Sequence, residues 1–475
     1  MVFSSNIFLF LFLPVVLAGY YLLNPIFRNT WLLLASLFFY FWGEPQNILI
    51  MASSIIINYS FGLLIHINHN KQSVIRRLVL TAAIGANLGL LFWFKYFDFA
   101  VNIVNQLFSF NFEFRNIALP IGISFFTFQG ITYLADLHKG TIHVQKNPLK
   151  VALYISLFPQ LVAGPIVRYK DIEEQISFRR SSLELVYSGL SRFITGLAKK
   201  MLIANNLAIV ADQIFGLPYS EISMKTAWFG IICYSFQIYF DFSGYSDMAI
   251  GLGRMFGFKF LENFNYPYMS KTITEFWRRW HISLSSFFRD YVYIPLGGNR
   301  KGNTYMHLLV VFLVTGLWHG ASWSFIVWGL WHGLFIILER LLRGRKEFFS
   351  HRALVPLGHL YTMAVVMVGW VFFRAENLDY AVGYLKIMFC LESPDLSQIG
   401  FSLRYYLDKY NVAIVLAAAV GSMPVIPWLN SMAERLAIWP AVVTLGRNIC
   451  LSALLLLSFI MVLSSSYNPF IYFRF

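Results

Sequence analysis

The stretch Thr315–Gly333 reads TGLWHGASWSFIVWGLWHG, and it places His319 and His332 inside a run that is otherwise apolar enough for lipid or a protein core. The pentapeptide Gly-Leu-Trp-His-Gly occurs twice, so each histidine follows a tryptophan and precedes a glycine. Small residues at this kind of spacing let a second helix approach closely. Titratable side chains at membrane depth are costly and mark functional sites. We therefore take this stretch as the centre of a candidate site.

The length of the region around these histidines predicts a break in the helix. Thr304–Leu342 contains 39 residues, which would be about 58 Å long as one helix and therefore too long for a bilayer core of about 30 Å. Gly320–Ser322 is the expected break, because glycine tolerates non-helical backbone. Asn303 or Thr304 is the expected cap of the first leg. The first histidine would then end one leg and the second would lie within the next.

The composition predicts an integral membrane protein. Of the 475 residues, 58% are hydrophobic and 13% are charged, and the mean hydropathy is +0.60. The net charge of +14 comes from basic clusters between apolar runs, as the positive-inside rule and anionic lipid headgroups favour. The sequence has no basic face with interleaved aromatic residues that stands free of the membrane, so we do not expect nucleic-acid binding. Cys233, Cys390 and Cys450 lack CxxC spacing, so we expect neither a disulfide framework nor a metal site.

Apolar runs predict an all-α polytopic fold in which several spans are half-length, tilted or re-entrant. We expect one membrane domain over residues 1–475, with N-terminal helices in 1–110, a core that holds the candidate site in 111–345 and C-terminal helices in 346–475. The first apolar run, Asn6–Leu23, is expected to be a retained span and not a removed signal peptide. The candidate spans are Asn6–Leu23, Trp31–Trp42, Ile48–Ile67, Leu78–Phe97, Ile117–Leu134, Val151–Val167, Ala227–Ile250, Met306–Trp318, Ser324–Leu338, Leu360–Phe373, Val412–Ile426 and Ile449–Leu463.

Two further segments have amphipathic patterns. Ser182–Phe215 carries apolar residues at helical spacing, with Arg192, Lys199 and Lys200 on the other face, which predicts a helix lying at the membrane interface. Leu261–Arg300 is aromatic and basic, which predicts a helix at headgroup level with snorkelling arginines. Within it, Glu275 is spaced to pair with the arginines that follow it.

A third histidine, His281, lies in FWRRWHISLS, 38 residues before His319. An imidazolium would be strongly desolvated at depth, so we expect neutral rings, and a neutral imidazole is a competent general base near neutral pH. Activating a hydroxyl group to attack a thioester or ester fits that chemistry. The alternative interpretation is that these histidines are hydrogen-bonded packing residues without a chemical role. Asp241 and Tyr245, one turn apart in YFDFSGYSDM, either brace a helix junction or line a substrate tunnel.

Long blocks of the chain resemble the membrane-bound O-acyltransferase (MBOAT) family, most closely its bacterial alginate O-acetyltransferase branch. The resemblance covers nearly the whole chain. It is carried by LPIGISFFTFQGITYLAD (Leu119–Asp136), FPQLVAGPIVRY (Phe158–Tyr169), YFDFSGYSDMAIGLGRMFGF (Tyr239–Phe258), NYPYMSKTITEFWRRWHISLSSFFRDYVYIPLGGNR (Asn265–Arg300) and GLWHGASWSFIVWGLWHG (Gly316–Gly333).

The resemblance implies a ring of about 11 to 12 transmembrane helices, with re-entrant and interfacial helices, around a central funnel. By motif match it implies that His319 is the catalytic residue and that His281 is the second histidine of the passage. We expect the remaining candidates to support or line the substrate tunnel; they are Trp318, His332, Asp241, Tyr245, Trp280 and Arg278.

The resemblance also implies the reaction and its partners. An acyl group, expected to be acetyl, would pass from a cytosolic thioester donor to a hydroxyl acceptor at the outer face. The donor would be acetyl-CoA or an acylated carrier protein acting as co-substrate, with no bound cofactor. The acceptor would be an SGNH-type partner acetyltransferase or a glycan, for O-acetylation of an exported or cell-surface polysaccharide such as alginate. The expected location is the bacterial inner membrane.

A protein of another class could use the same polar residues. A transporter or channel would pass an intact small solute through the central cavity, without covalent change, and would favour inverted repeats in the sequence. Beyond the repeated Gly-Leu-Trp-His-Gly, the chain shows no such duplication.

Overall fold

The computed structural model describes residues 1–68, 73–342, 354–393, 402–436, 439–464, 467–469 and 471. Within these ranges the chain forms helices and no β-strand, which confirms the predicted all-α class. It divides into two compact units, one of Met1–Phe193 with Ser246–Leu261 and the other of Ile194–Tyr245 with Glu262–Phe475. The single membrane domain therefore stays a prediction.

In the first part of the chain, asparagine and proline mark the starts of several helices. Asn147 illustrates a start signal, because its side chain accepts a hydrogen bond from Leu149 N and Pro148 follows it at the first helical position. The helices are α1 Leu13–Leu22, α2 Arg28–Gly43, α3 Ile48–Ile67, α4 Ser73–Leu91, α5 Phe97–Phe108, α6 Ile123–Lys139, α7 Pro148–Ser156, α8 Phe158–Leu161, α9 Tyr169–Ser177 and α10 Leu183–Ala198.

The second part holds the longest helix and the elements that carry the candidate site. The helices are α11 Asn205–Phe215, α12 Met224–Met255, α13 Ile273–Arg279, α14 Ile282–Phe288, α15 Thr304–His319, α16 Trp323–Leu342, α17 Val355–Arg374, α18 Leu378–Met388, α19 Leu403–Tyr406, α20 Lys409–Gly421, α21 Val425–Arg435 and α22 Pro440–Ser464. Among the described residues of both parts, four π-helical turns extend or join helices, at Phe8–Phe12, Phe92–Tyr96, Lys199–Ala204 and Arg289–Tyr293.

Among the described residues, six helices are long and apolar enough to cross a membrane, or seven if the bent pair α20 and α21 counts as one span. The bend between these two helices is 63°. The chain is therefore a multi-pass membrane protein, as its composition indicates. The number of 11 to 12 spans and their arrangement in a ring stay predictions.

A cluster of phenylalanine rings forms the core of the first unit. Phe3, Phe8, Phe39 and Phe158 are almost fully buried, with neighbouring ring centroids 4.9 to 6.4 Å apart. The predicted span Val151–Val167 is wrong as one continuous helix, because α7 ends at Ser156, Leu157 has non-helical backbone (ψ 110°), and the short α8 ends at Leu161.

The predicted break in the second unit is confirmed. Asn303 caps α15 by accepting hydrogen bonds from Tyr305 N and Met306 N, and α15 ends at His319. Gly320 has extended backbone (φ −167°, ψ 153°), and α16 begins at Trp323. The first histidine of the repeat therefore ends one helix and the second lies midway along the next.

The repeated glycines hold α15 and α16 together at backbone contact. A Cβ atom added to Gly316 would lie 2.3 Å from Phe325 O, and one added to Gly329 would lie 2.3 Å from Phe312 O. This confirms the prediction that the glycines of the repeat allow close helix packing.

The prediction of one headgroup-level helix over Leu261–Arg300 is wrong. The segment forms the two short helices α13 and α14, and the helix is interrupted between them at Trp280, which is extended, and His281, whose φ is +42°. Trp277 and Trp280 are buried, so these indoles contribute to the interior of the unit and not to an aromatic belt. The Glu275–Arg279 pair forms as expected, with 2.9 Å between its charged atoms.

The prediction that Lys200 lies on a polar outer face is also wrong. Its side chain is 2% exposed, and Nζ lies 2.7 Å from Oδ1 of Asp241. The segment is helical as its spacing predicts, but the carboxylate of Asp241 on α12 compensates the charge of Lys200 and so allows it to be buried. The π-helical turn Lys199–Ala204 carries this lysine, a type of helix distortion that is common at functional sites.

Candidate active site

His319 lies in the wall of a small, mainly aromatic cavity of the second unit. Its ring is 4% exposed and lies 4.8 Å from the ring of Trp328 and 5.1 Å from that of Phe373, in both cases edge to face. The cavity has a volume of about 10 Å³, which is close to the space that one water molecule needs. The described residues that line it are Ile238, Phe242, Trp280, His319, Trp328, Trp370, Phe373 and Ile471.

His281 is completely buried at the start of α14. Its Nδ1 lies 3.1 Å from Oδ1 of Asn263, and the same oxygen accepts hydrogen bonds from the backbone N and Oγ of Ser283. Because that oxygen can only accept, Nδ1 donates and Nε2 keeps its lone pair. In the described part of the chain Nε2 has no hydrogen-bond partner. Burial lowers the pKa of His281 from its usual 6.5 to about 3, so the ring is neutral at physiological pH.

Trp318 lies between the two predicted catalytic histidines. The centroid of its indole is 6.0 Å from the ring of His281 and 4.7 Å from the ring of His319. Phe242 contacts His281 at 4.6 Å and also lines the cavity beside His319. The structure thus brings the two histidines next to the same aromatic side chains.

His332 has an entirely aromatic environment. Its ring is fully buried and packs against Phe276, Trp277, Trp328 and Trp370 at centroid distances of 5.3 to 6.4 Å. Neither ring nitrogen has a hydrogen-bond partner among the described residues. This environment favours the support or packing role expected for His332.

Asp241 connects Lys200 to the C-terminal part of the chain. Oδ2 of Asp241 accepts a hydrogen bond from the backbone N of Ile471 at 3.0 Å, and Lys200 Nζ donates to the carbonyl oxygen of Pro469. Ile471 in turn lines the cavity beside His319. Tyr245, one turn after Asp241 on α12, is buried but is not among the described residues that line this cavity.

A second, larger cavity of about 560 Å³ opens beside α13 to α16. Arg278, Arg289 and Arg340 line it, and all three side chains are exposed. Its wall also includes Trp277, whose ring lies 5.8 Å from that of Trp328 in the small cavity. The lining of the larger cavity therefore combines exposed arginines with a tryptophan that packs against the wall of the small cavity.

Comparisons with known proteins identify the family. The model of the membrane-bound O-acyltransferase family matches residues 143–378. A protein of Pseudomonas putida named probable alginate O-acetylase is 41% identical over 496 residues, which cover all of both chains. The chain belongs to the membrane-bound O-acyltransferase family. This membrane-bound O-acyltransferase is thus an enzyme that transfers acyl groups to oxygen, and the transporter alternative is set aside.

Other members of the MBOAT family show how far the likeness extends. The peptidoglycan O-acetyltransferase of Helicobacter pylori is 37% identical over 459 residues, which cover 89% of this chain and 86% of the relative. The teichoic acid D-alanyltransferase of Bacillus subtilis is 31% identical over 223 residues, covering 44% of this chain and 55% of the relative.

Several residues of the candidate MBOAT site had no clear signal in the sequence. Asn263, which orients His281, precedes it by 18 positions in an irregular segment. Trp370 and Phe373 on α17 look like ordinary apolar residues of a span, and Ile471 follows the last described helix. Of these residues, Asn263 is the one that the sequence could have indicated, because it is a polar residue beside an aromatic and basic segment.

Proposed function

We propose that this enzyme moves an acetyl group from a cytosolic thioester donor to a hydroxyl acceptor at the outer face, with His319 as general base. The observation that carries this proposal is the position of an imidazole in the wall of a small cavity that is otherwise almost entirely apolar. The names of two relatives, an alginate O-acetylase and a peptidoglycan O-acetyltransferase, favour acetyl as the transferred group.

The proposed step is a balanced exchange of an ester for a thioester. A ring nitrogen of His319 takes the proton of the acceptor hydroxyl while its oxygen attacks the thioester carbonyl carbon. The C–O bond forms and the C–S bond breaks. The proton then passes from the imidazolium to the departing thiolate, so that the histidine is neutral again. An apolar cavity of this size excludes bulk water, which limits hydrolysis of the thioester.

The neighbouring side chains have supporting roles in this proposal. His281 is neutral and can accept a hydrogen bond at Nε2. The indole of Trp318 packs against the rings of both His281 and His319. Trp280 belongs to the cavity wall. Asp241 holds the C-terminal segment that completes this wall. His332 packs against Trp328 and Trp370 of the cavity wall, and Tyr245 supports the site as a buried residue of α12 one turn after Asp241.

The large cavity supports the proposal of a thioester donor. Acetyl-CoA and an acylated carrier protein both present a phosphopantetheine chain, and arginine is well suited to binding phosphate. Arg278, Arg289 and Arg340 line this cavity and are exposed, and Trp277, which also lines it, packs against Trp328 of the small cavity. We place the donor on this side, with Arg278 among its phosphate ligands.

For the acceptor we propose an SGNH-type partner acetyltransferase or a glycan, and for the product an O-acetylated exported or cell-surface polysaccharide such as alginate. The enzyme would lie in a bacterial inner membrane. The two named polymers of the relatives, alginate and peptidoglycan, motivate a glycan as the final acceptor.

Inside-out membrane vesicles of the source organism, deleted for the chromosomal copy and supplied with the full chain, test this proposal. Labelled acetyl-CoA, or in a second arm a labelled acetylated carrier protein, is added to the cytosolic face. We expect covalent label on macromolecules in the vesicle lumen, and no such label with His319→Ala. Equal labelling by wild type and His319→Ala would remove His319 from the catalytic role.

A further inference from the structure

The small cavity beside His319 has a wall of interlocked aromatic rings. Trp328 and Trp370 stack with centroids 6.1 Å apart, and Phe373 packs against both, at 5.1 and 5.4 Å. Trp280 closes a further side, 4.9 Å from Trp370. All four rings are at most 5% exposed, so each is held in place by its neighbours.

We propose that Trp370 and Phe373 determine the size of the acyl group and limit it to about two carbons. This inference rests on the proposed function, because it requires that the acyl group be transferred beside His319. The cavity of about 10 Å³ has room for a group close in size to one water molecule. A methyl group is of that order, whereas each further carbon must displace a ring of the wall.

The wall has little freedom to make that room. Moving the ring of Phe373 outwards brings it against Phe325, whose centroid is 5.1 Å away. Moving Trp370 brings it against Trp280 or Phe276. Close-packed interiors respond to the addition of even one methylene group, so a propionyl or butyryl group meets a fixed wall.

The size of the effect can be bounded. One methylene group in an apolar pocket typically changes enzyme selectivity about 10- to 200-fold. We therefore expect the wild-type enzyme to prefer acetyl over propionyl by a factor in this range, and to transfer butyryl less well again. Shortening a wall residue should reduce the preference without requiring any change at His319.

Alpha-helix α17 supplies both the residues to change and a matched control. Phe373 and Trp370 line the cavity, whereas Phe372, which is buried on the same helix, is absent from the described lining and packs near Trp331. Phe373→Ala and Trp370→Leu enlarge the cavity. Phe373→Leu and Trp370→Phe are milder versions that preserve more of the packing, and Phe372→Ala removes a comparable ring from the other side of the helix.

The experiment compares acetyl, propionyl and butyryl donors in the vesicle assay, with each acyl group presented on CoA and on a carrier protein. The donor form that supports acetyl transfer by the wild type is used for all variants. We expect the cavity-lining variants to lower the acetyl-to-propionyl ratio about tenfold or more, and Phe372→Ala to keep the wild-type ratio. The milder pair is used if the larger changes abolish folding, which is monitored by size-exclusion chromatography in detergent.

Two results would overturn the inference. One is a wild-type enzyme that transfers butyryl as readily as acetyl. The other is a set of folded cavity-lining variants that still transfer acetyl with the wild-type ratio. Failure of the wild type to transfer acetyl from either donor form would instead contradict the proposed function, so the two failures are distinguishable.

Discussion

Lys200 and Asp241 form a salt bridge of 2.7 Å between side chains that are 2% and 3% exposed. The same two side chains hold the backbone at Pro469 and Ile471, and Ile471 lines the cavity beside His319. A buried ion pair is often no more stabilising than a well-packed apolar pair. We therefore expect the pair to matter mainly because it fixes the position of the C-terminal segment that contains Pro469 and Ile471.

The salt bridge gives a prediction that separates stability from positioning. Asp241→Asn leaves a buried ammonium group without its charge partner, which costs about 3–5 kcal/mol, so we expect a lower melting temperature and loss of acyl transfer. Lys200→Met with Asp241→Leu removes both charges, and we expect stability to recover while transfer stays low because the backbone at Ile471 has lost its anchor. Thermal unfolding in detergent and the vesicle assay measure the two effects.

The matched control for this prediction is the exposed pair of Lys386 and Glu392, whose charged atoms are 3.0 Å apart. Replacing both residues with apolar ones should change stability by no more than about 1 kcal/mol and leave transfer intact. If the Lys200/Asp241 double variant transferred acyl groups at the wild-type rate, the positioning role of the pair would be excluded.

The two histidines of the repeat are predicted to respond differently to substitution. His319→Gln keeps a polar side chain but removes the base, so transfer should fall by about 10²- to 10⁴-fold, the usual contribution of a general base. His332→Leu conserves volume in an aromatic environment where the imidazole has no described hydrogen bond, so its cost should be below about 1.5 kcal/mol. Comparing initial rates of transfer at equal amounts of folded protein checks both. A His332→Leu enzyme as inactive as His319→Gln would give His332 a chemical role.

The sequence predicts the local features of this fold better than its long-range ones. Helix length and glycine content are enough to predict the break after His319, and capping chemistry narrows the helix start to Asn303 or Thr304, of which Asn303 is the cap. The burial of His281 depends on Asn263, and the burial of Lys200 depends on a carboxylate 41 positions later in the chain. Such pairings of distant residues leave no periodic signal. The amphipathic pattern of Ser182–Phe215 therefore predicts an interfacial helix with Lys200 on its polar face, although Lys200 is buried.

Backbone contact between α15 and α16 predicts a strong effect of a single methyl group. In Gly316→Ala the new Cβ would lie 2.3 Å from Phe325 O, so the helices must separate and displace His319, which lies three residues further along α15. We expect lower stability together with slower transfer. Gly89→Ala on α4 is the control, because nothing lies within 4 Å of its Cβ position and alanine favours helix by about 1 kcal/mol. If Gly316→Ala and Gly89→Ala had the same stability and the same rate of acyl transfer, the close-contact role of Gly316 would be contradicted.

The neutral state of His281 predicts how stability depends on pH. Its pKa is about 3 in the folded protein and about 6.5 in the unfolded chain, so below about pH 6.5 the unfolded state binds a proton that the folded state does not. This contribution to stability is fully present above pH 6.5 and is lost as the pH falls towards 3, by up to about 1.4 kcal/mol per pH unit. Its described neighbours Asn263, Ser283, Phe242 and Trp318 do not titrate in this range.

His281→Asn is the variant that isolates this effect. Asparagine is among the residues that adopt positive φ most readily, so it suits the φ of +42° at this position, whereas alanine would add backbone strain. It also carries no titratable group. We expect the melting-temperature difference between wild type and His281→Asn, measured at a fixed heating rate, to shrink steadily on going from about pH 7 to about pH 5. Parallel pH profiles for the two proteins would mean that the folded protein protonates this histidine as readily as the unfolded chain does.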